Sequence, residues 1–260
     1  MEEDSVFGLA WLALMQRKLA PGLLVALALF TTAGKANPPN VKGKITGHEK
    51  LVPEVYAETA KPDSRRWTWR EPSPSVDAKF RILSANPSRD ICLAATTNAN
   101  QEKQEFRMTV TGGRVFPTTI VVTPNTQLAF KNVDPFKHRI YVVSATGQRL
   151  LQAEDLAGNS ARSWSPQGAG KYEVRDELFP SVRTYVVVDP QVAQIAYPGR
   201  DGAFGFSLPN GDYVLKAYFN GKPIGKAINF TAKEKGMVDL KEPLKLDEGL
   251  DAPPAGGDKK

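Results

Sequence analysis

The chain has 260 residues, a formal charge of +6 and 41% hydrophobic residues, with 21 Gly and 20 Pro. That composition suits a loop-rich β protein of one large or two small domains and excludes a helical bundle. The basic residues are scattered with no tract beyond Arg65-Arg66, so a nucleic-acid-binding stripe is excluded, while a weak preference for anionic surfaces is allowed.

In chain order, the first feature is an export signal over residues 1–36. Met15-Gln16-Arg17-Lys18 is a short basic region, Leu23 to Phe30 an apolar core, and Gly34-Lys35-Ala36 a small-residue cleavage site. The apolar core is about half the roughly 20 residues a membrane span needs, so cleavage is expected and no stable span afterwards. Met15 reads as the true start. An uncleaved anchor that also uses Val6–Leu14 is the rival, weakened by the break at Gln16-Arg17-Lys18 and Pro21. Cys92 is the single cysteine, so no intramolecular disulfide can form, and it reads as a small buried apolar residue.

Val41 to Ala60 predicts a strand, a turn near Gly47-His48-Glu49, and a second strand from Val52 to Ala57. Residues 61–104 read as an insertion with strand-like pieces at Lys79–Leu83 and Asp90–Ala95. Within it, Arg66, Trp67, Trp69 and Arg70 form the candidate binding surface. Trp67 and Trp69 share one face of a strand, either capping the end of a sandwich or offering a stacking platform for a sugar or a partner's side chain, with cation–π support.

Glu105 to Val110 is another predicted strand, followed by a Gly112-Gly113 turn. The run Phe116 to Val143 and the run Lys171 to Asp189 both place Val, Ile, Tyr and Phe at every second position, the β period. Leu150–Leu156 and Ser160–Trp164 lie between them. Beyond, Phe204–Leu208, Tyr213–Phe219 and Ala227–Phe230 read as strands set off by Asp201-Gly202, Asn210-Gly211 and Asn220-Gly221 turns. Residues 247–260 read as a disordered tail.

The motif Phe116, Pro117, Ile120, Val122, Leu128, Phe130, Asn132, Asp134, His138 resembles the opening hairpin and first ligand loop of the cupredoxins. Gly170, Tyr172, Pro180 and the strand Tyr185–Val188 resemble that family's last loop and closing strand. The resemblance implies a Greek-key β-sandwich over residues 41–190 containing the 61–104 insertion. At the family's Cys, His and Met ligand positions stand Asp176, Phe179 and Val182, so the resemblance carries the scaffold without its copper set. Residues 191–246, with Asp201-Gly202, Phe204, Phe206, Leu208-Pro209, Gly211 and Tyr213, resemble a carboxypeptidase-regulatory or transthyretin-like module. The Val-x-Gly strand within residues 41–60 resembles its missing first half.

The expected fold is therefore all-β: a cupredoxin-like sandwich plus a small transthyretin-like β-sandwich module. His138 reads as an inherited polar residue bonded to Asp134 or the backbone; the alternative is a weak metal site of His138, Asp176 and water. Asp176 and Glu177 point to opposite faces of a strand, unlike a working carboxylate pair, and no triad, zinc spacing or phosphate loop stands out. The leading expectation is a non-enzymatic periplasmic or secreted binding or assembly protein, without cofactor, that contacts a protein or a cell-envelope glycan. A residual copper-binding or electron-transfer protein and a carbohydrate-binding module are the rivals. The oligomeric state is not legible.

Overall fold

A computed structural model of the chain describes residues 38–53, 85–98, 105–233 and 236–247. Arg66, Trp67, Trp69 and Arg70 lie outside the described residues, as do the export signal, the strand expected at Lys79–Leu83 and the tail from residue 248. No helix among the described residues is long and apolar enough to cross a membrane.

The regular structure described is almost all strand. β1 (Val41–Thr46) runs antiparallel to β13 (Ala203–Phe206) and parallel to β16 (Val238–Asp239) and β17 (Leu244–Lys245). It buries Val41 and Ile45 and exposes Lys42 and Lys44, as alternation dictates. Gly43 is glycine because the Phe204 ring lies across it: a Cβ there would sit 2.6 Å from Cζ of Phe204.

The facing sheet has the order β12 (Val192–Ala196), β2 (Ile91–Thr96), β14 (Gly211–Phe219), β15 (Lys222–Ala232). Between the two sheets pack Val41, Ile45, Leu93, Phe206, Leu215 and Leu244. This is the terminal sandwich. A single helical turn, α1 (Pro87–Asp90), leads into β2; Asn86 Oδ1 accepts the Ser88 N–H at 3.2 Å, and Pro87 fills the first position.

The inner sandwich is made only from residues 105–188. One sheet has the order β4 (Arg114–Phe116), β3 (Glu105–Thr111), β6 (Gln127–Asn132), β9 (Ala161–Trp164). The other has the order β5 (Thr119–Val122), β11 (Arg183–Val188), β10 (Gly170–Asp176), β7 (His138–Ser144), β8 (Arg149–Leu156). Met108, Leu128, Phe130, Ile140, Val174 and Val186 fill its core.

All six residues of β2 and all four of β5 are buried. The reason is a third apolar cluster, Cys92, Ala94, Val121, Val192 and Tyr218, which joins the outer faces of the two sandwiches. A strand covered on both faces loses alternation, and this is why Ile-Cys-Leu-Ala-Ala-Thr carries so weak a β pattern. The contact is tied at its margin by Tyr197, whose hydroxyl donates to the Thr119 carbonyl at 2.9 Å. Gly221 (φ +69°), in the β14–β15 turn, presses on β11: a Cβ there would meet Tyr185 Cβ and Lys171 Cε at 2.8 Å each.

Sequence order placed Asp90–Ala95 in an insertion within the run 41–190, and offered the 41–60 strand either to that run or to the 191–246 module. Strand pairing instead puts β1 and β2 with β12–β17, because their hydrogen-bonding partners are β13, β14, β16 and β17. The chain leaves the terminal sandwich after β2, builds the inner one, and returns at β12.

Candidate functional site

One end of the inner sandwich gathers three connections: the β3–β4 turn, the β6–β7 turn and the β10–β11 loop. His138, the first residue of β7, is fully buried among them. Its Nδ1 lies 2.8 Å from Asp176 Oδ2 and its Nε2 lies 3.0 Å from Asp134 Oδ2.

Each carboxylate is held by backbone as well. Asp134 Oδ1 accepts from the Gly112 N–H at 2.6 Å and Oδ2 from the Gly113 N–H at 3.1 Å. Both glycines have positive φ, +59° and +66°, which turns successive N–H groups toward one anion. Asp176 Oδ2 accepts from the Arg139 N–H at 3.0 Å, while Oδ1 accepts from Leu178 N–H at 2.6 Å and Phe179 N–H at 2.9 Å. Asn132 sets the β6–β7 turn: its Oδ1 accepts from Asp134 N–H at 2.9 Å, and its Nδ2 donates to the Phe136 and Leu156 carbonyls.

The protonation state follows from this pattern. Each ring nitrogen faces a carboxylate oxygen that also receives a backbone N–H, an arrangement that favours the imidazolium with both nitrogens donating. Burial pulls the His138 pKa down, but Asp176 and Asp134 outweigh it and the net direction is up. For Asp134, burial pushes the pKa up, yet the Gly113 and Gly112 N–H groups and His138 bring it below the usual range.

Two aromatic rings close the site from outside. Phe179 lies 4.9 Å from the His138 ring and Phe136 lies 5.3 Å from it, centroid to centroid, with 4.9 Å between the two phenyl rings. Phe136 and Val133 are exposed; Val182 is buried. Ser181 ties the loop to the β3–β4 turn by donating to the Gly113 carbonyl at 2.6 Å.

The structure thus brings together His138 and Asp176, the weak metal candidates, and adds Asp134 on the far side of the ring. The residues present do not fit a copper centre. The two imidazole nitrogens point opposite ways, Asp176 already receives four donors, and Phe179 and Val182 offer no ligand atom. Among the described residues no group of three or more His, Cys, Asp or Glu converges as a metal site. His48 sits on a 3₁₀ turn (His48–Lys50) of the terminal sandwich. Cys92 is buried between the sandwiches, where burial pushes its thiol up to about 12. The sequence named Asp134 as a partner of His138 and Asp176 as a possible neighbour. It missed that the ring is clamped from both sides, for which the signal was the Gly112-Gly113 pair. These are backbone donors placed to receive an anion.

No family model matches the chain, and no curated protein matches it. Over part of its length it is similar to solved cupredoxin structures. Amicyanin from Paracoccus versutus is 12% identical, over 37% of this chain and 97% of that one, with a TM-score of 0.30. A purple cupredoxin from Nitrosopumilus maritimus is 16% identical, over 32% of this chain and 99% of that one, again with a TM-score of 0.30.

Proposed function

We propose that this is a non-enzymatic binding or assembly protein, exported to the periplasm or beyond the cell. In this reading the inner sandwich is a metal-free cupredoxin-like scaffold. It is carried on a terminal sandwich of the carboxypeptidase-regulatory, transthyretin-like kind. The observation that carries the reading is the Asp134–His138–Asp176 cluster. It occupies with hydrogen bonds the imidazole that a copper site needs free. A buried ion cluster of this kind fixes three loops in place. A chain that spends the histidine of its ligand-like loop on architecture acts by surface contact, with a protein or a cell-envelope glycan as partner.

The test is a copper titration of the purified chain, followed by elemental analysis and visible absorption. The expected result is no stoichiometric copper and no intense thiolate-to-copper band. One copper held per chain, and lost in His138→Ala, overturns the proposal in favour of the residual copper-binding reading.

A further inference from the structure

We propose that a cup at the end of the inner sandwich away from His138 binds one pyranose ring of a neutral sugar. The inference rests on the binding role proposed above and gives it a ligand class. β8 and β9 each end their sheet. Toward His138 the gap between these two edges is bridged by Arg162 of β9. Its guanidinium donates to the Gln152 carbonyl of β8 at 2.6 Å and to the Ile140 carbonyl at 3.2 Å.

Two residues further on, Trp164 takes the same inward face of β9, opposite Leu128. Tyr172 shares its face of β10 with the buried Val174 and meets the indole edge to face, 5.4 Å between ring centroids. On β8 the register skips Leu150: Leu151 lies opposite Val142 and Arg149 opposite Val143. Leu150 is therefore the extra residue of a bulge and stands exposed. These three side chains, with Ser165 and Gln167, line a cup of about 270 Å³.

The rim is held by bonds of its own. The carbonyl of buried Pro166 accepts from the Asn125 N–H at 2.6 Å, and the Tyr172 hydroxyl donates to the Gly168 carbonyl at 2.8 Å. These fix the β9–β10 connection on both sides of Gln167. The side chains of Ser165 and Gln167 and the indole N–H of Trp164 hydrogen-bond to no described residue, so all three are available to a ligand.

The lining selects among ligands. It carries no charged group, so an ion finds no counter-charge. A wholly apolar ligand strips water from the Ser165 hydroxyl, the Gln167 amide and the indole N–H without replacing it. A proline ring matches the aromatic floor and brings no donor for Ser165 or Gln167. A pyranose satisfies both halves: its C–H face meets Trp164 and Leu150, and its hydroxyls donate to and accept from the rim. The cup lies just under the roughly 300–1,000 Å³ of pockets for drug-sized molecules, which suits a single ring.

The test is a titration of the full chain followed by nitrogen-15 NMR, with the indole signal of Trp164 assigned through Trp164→Phe. The probes are methyl β-glucoside, methyl β-galactoside and N-acetylglucosamine, with glucuronate and decaproline as controls. The expected result is that at least one neutral sugar shifts that indole signal at millimolar concentration, and that Gln167→Ala weakens the binding about tenfold. Gln167 is exposed, so the variant's melting temperature should stay within about 2 °C of the parent. No shift with any neutral sugar overturns the site, as does binding that Gln167→Ala and Ser165→Ala both leave intact. Tighter binding of glucuronate or decaproline than of every neutral sugar overturns the ligand class. The copper titration is independent: a chain that refuses copper and also refuses these sugars keeps the binding reading and loses this cup.

Discussion

A buried imidazolium between two aspartates gains its worth from completeness. Desolvating three charges is expensive, and the mutual attraction offsets it only while every partner is present. Replacing His138 with Leu leaves the Asp134 and Asp176 carboxylates facing a cavity without a counter-charge, and the expected loss is about 3–5 kcal/mol. The pH dependence has two limbs. The His138 pKa is raised in the fold, so its stabilisation is fully present below the unfolded value near 6.5 and is lost as pH rises through the higher folded value. The Asp134 pKa is lowered, so its contribution is present above the unfolded value near 3.9 and is lost as pH falls through the folded one. Urea midpoints measured across pH should therefore show a plateau between those limbs. In His138→Gln the alkaline limb should disappear; an alkaline limb that survives the substitution contradicts the assignment.

Among the elements, strands with one wet face could be read for both their existence and their buried face, whereas those with none could be read only for their existence. β6 alternates along its length and β14 does so from Asp212 to Lys216, and their apolar positions could be assigned from Leu128, Phe130, Tyr213 and Leu215 alone. β2 and β5 lie between layers, so Cys92 and Ala94 had no periodic signal to distinguish their face from that of Leu93 and Ala95. The same burial gives a probe. With its thiol pushed up to about 12 and no exposure, Cys92 should react with a disulfide reagent only as fast as the two sandwiches separate or unfold. Fast labelling under native conditions would show that the joint opens readily. At the candidate site, His138 was legible as the one imidazole in a ligand-like loop. The clamp around it was not, because Asp134 and Asp176 are neighbours only once β7 and β10 pair.

At the scale of the whole molecule, the resemblance of the 41–60 strand to the start of the last module hinted at an interruption, but local pattern could not reveal that β2 also belongs to the terminal sandwich. Alternation reports that a strand has a buried face and says nothing about which distant strand covers it, and Asn40 bonds to Leu208 across 168 positions of sequence. Contacts so far apart are slow to form because the loop between them must close first. The inner sandwich, by contrast, draws all its strands from residues 105–188. Residues 105–189 expressed alone should fold cooperatively, as followed by circular dichroism during thermal unfolding. A chain cut after residue 190 should leave β1 and β2 open to protease. A featureless spectrum for the excised piece would show that the inner sandwich needs its neighbour.

That order of assembly has a consequence for how the protein is made. When synthesis reaches Asp189, β1 and β2 have been made but β12, β13, β14, β16 and β17, with which they pair, have not. Two strands rich in unpaired N–H and C=O groups must then wait, one on each side of nothing, until the last quarter of the chain arrives. The Cys92–Ala94 face of β2 can dock on the finished inner sandwich in the meantime. The middle of the protein then serves as the template on which its two ends meet.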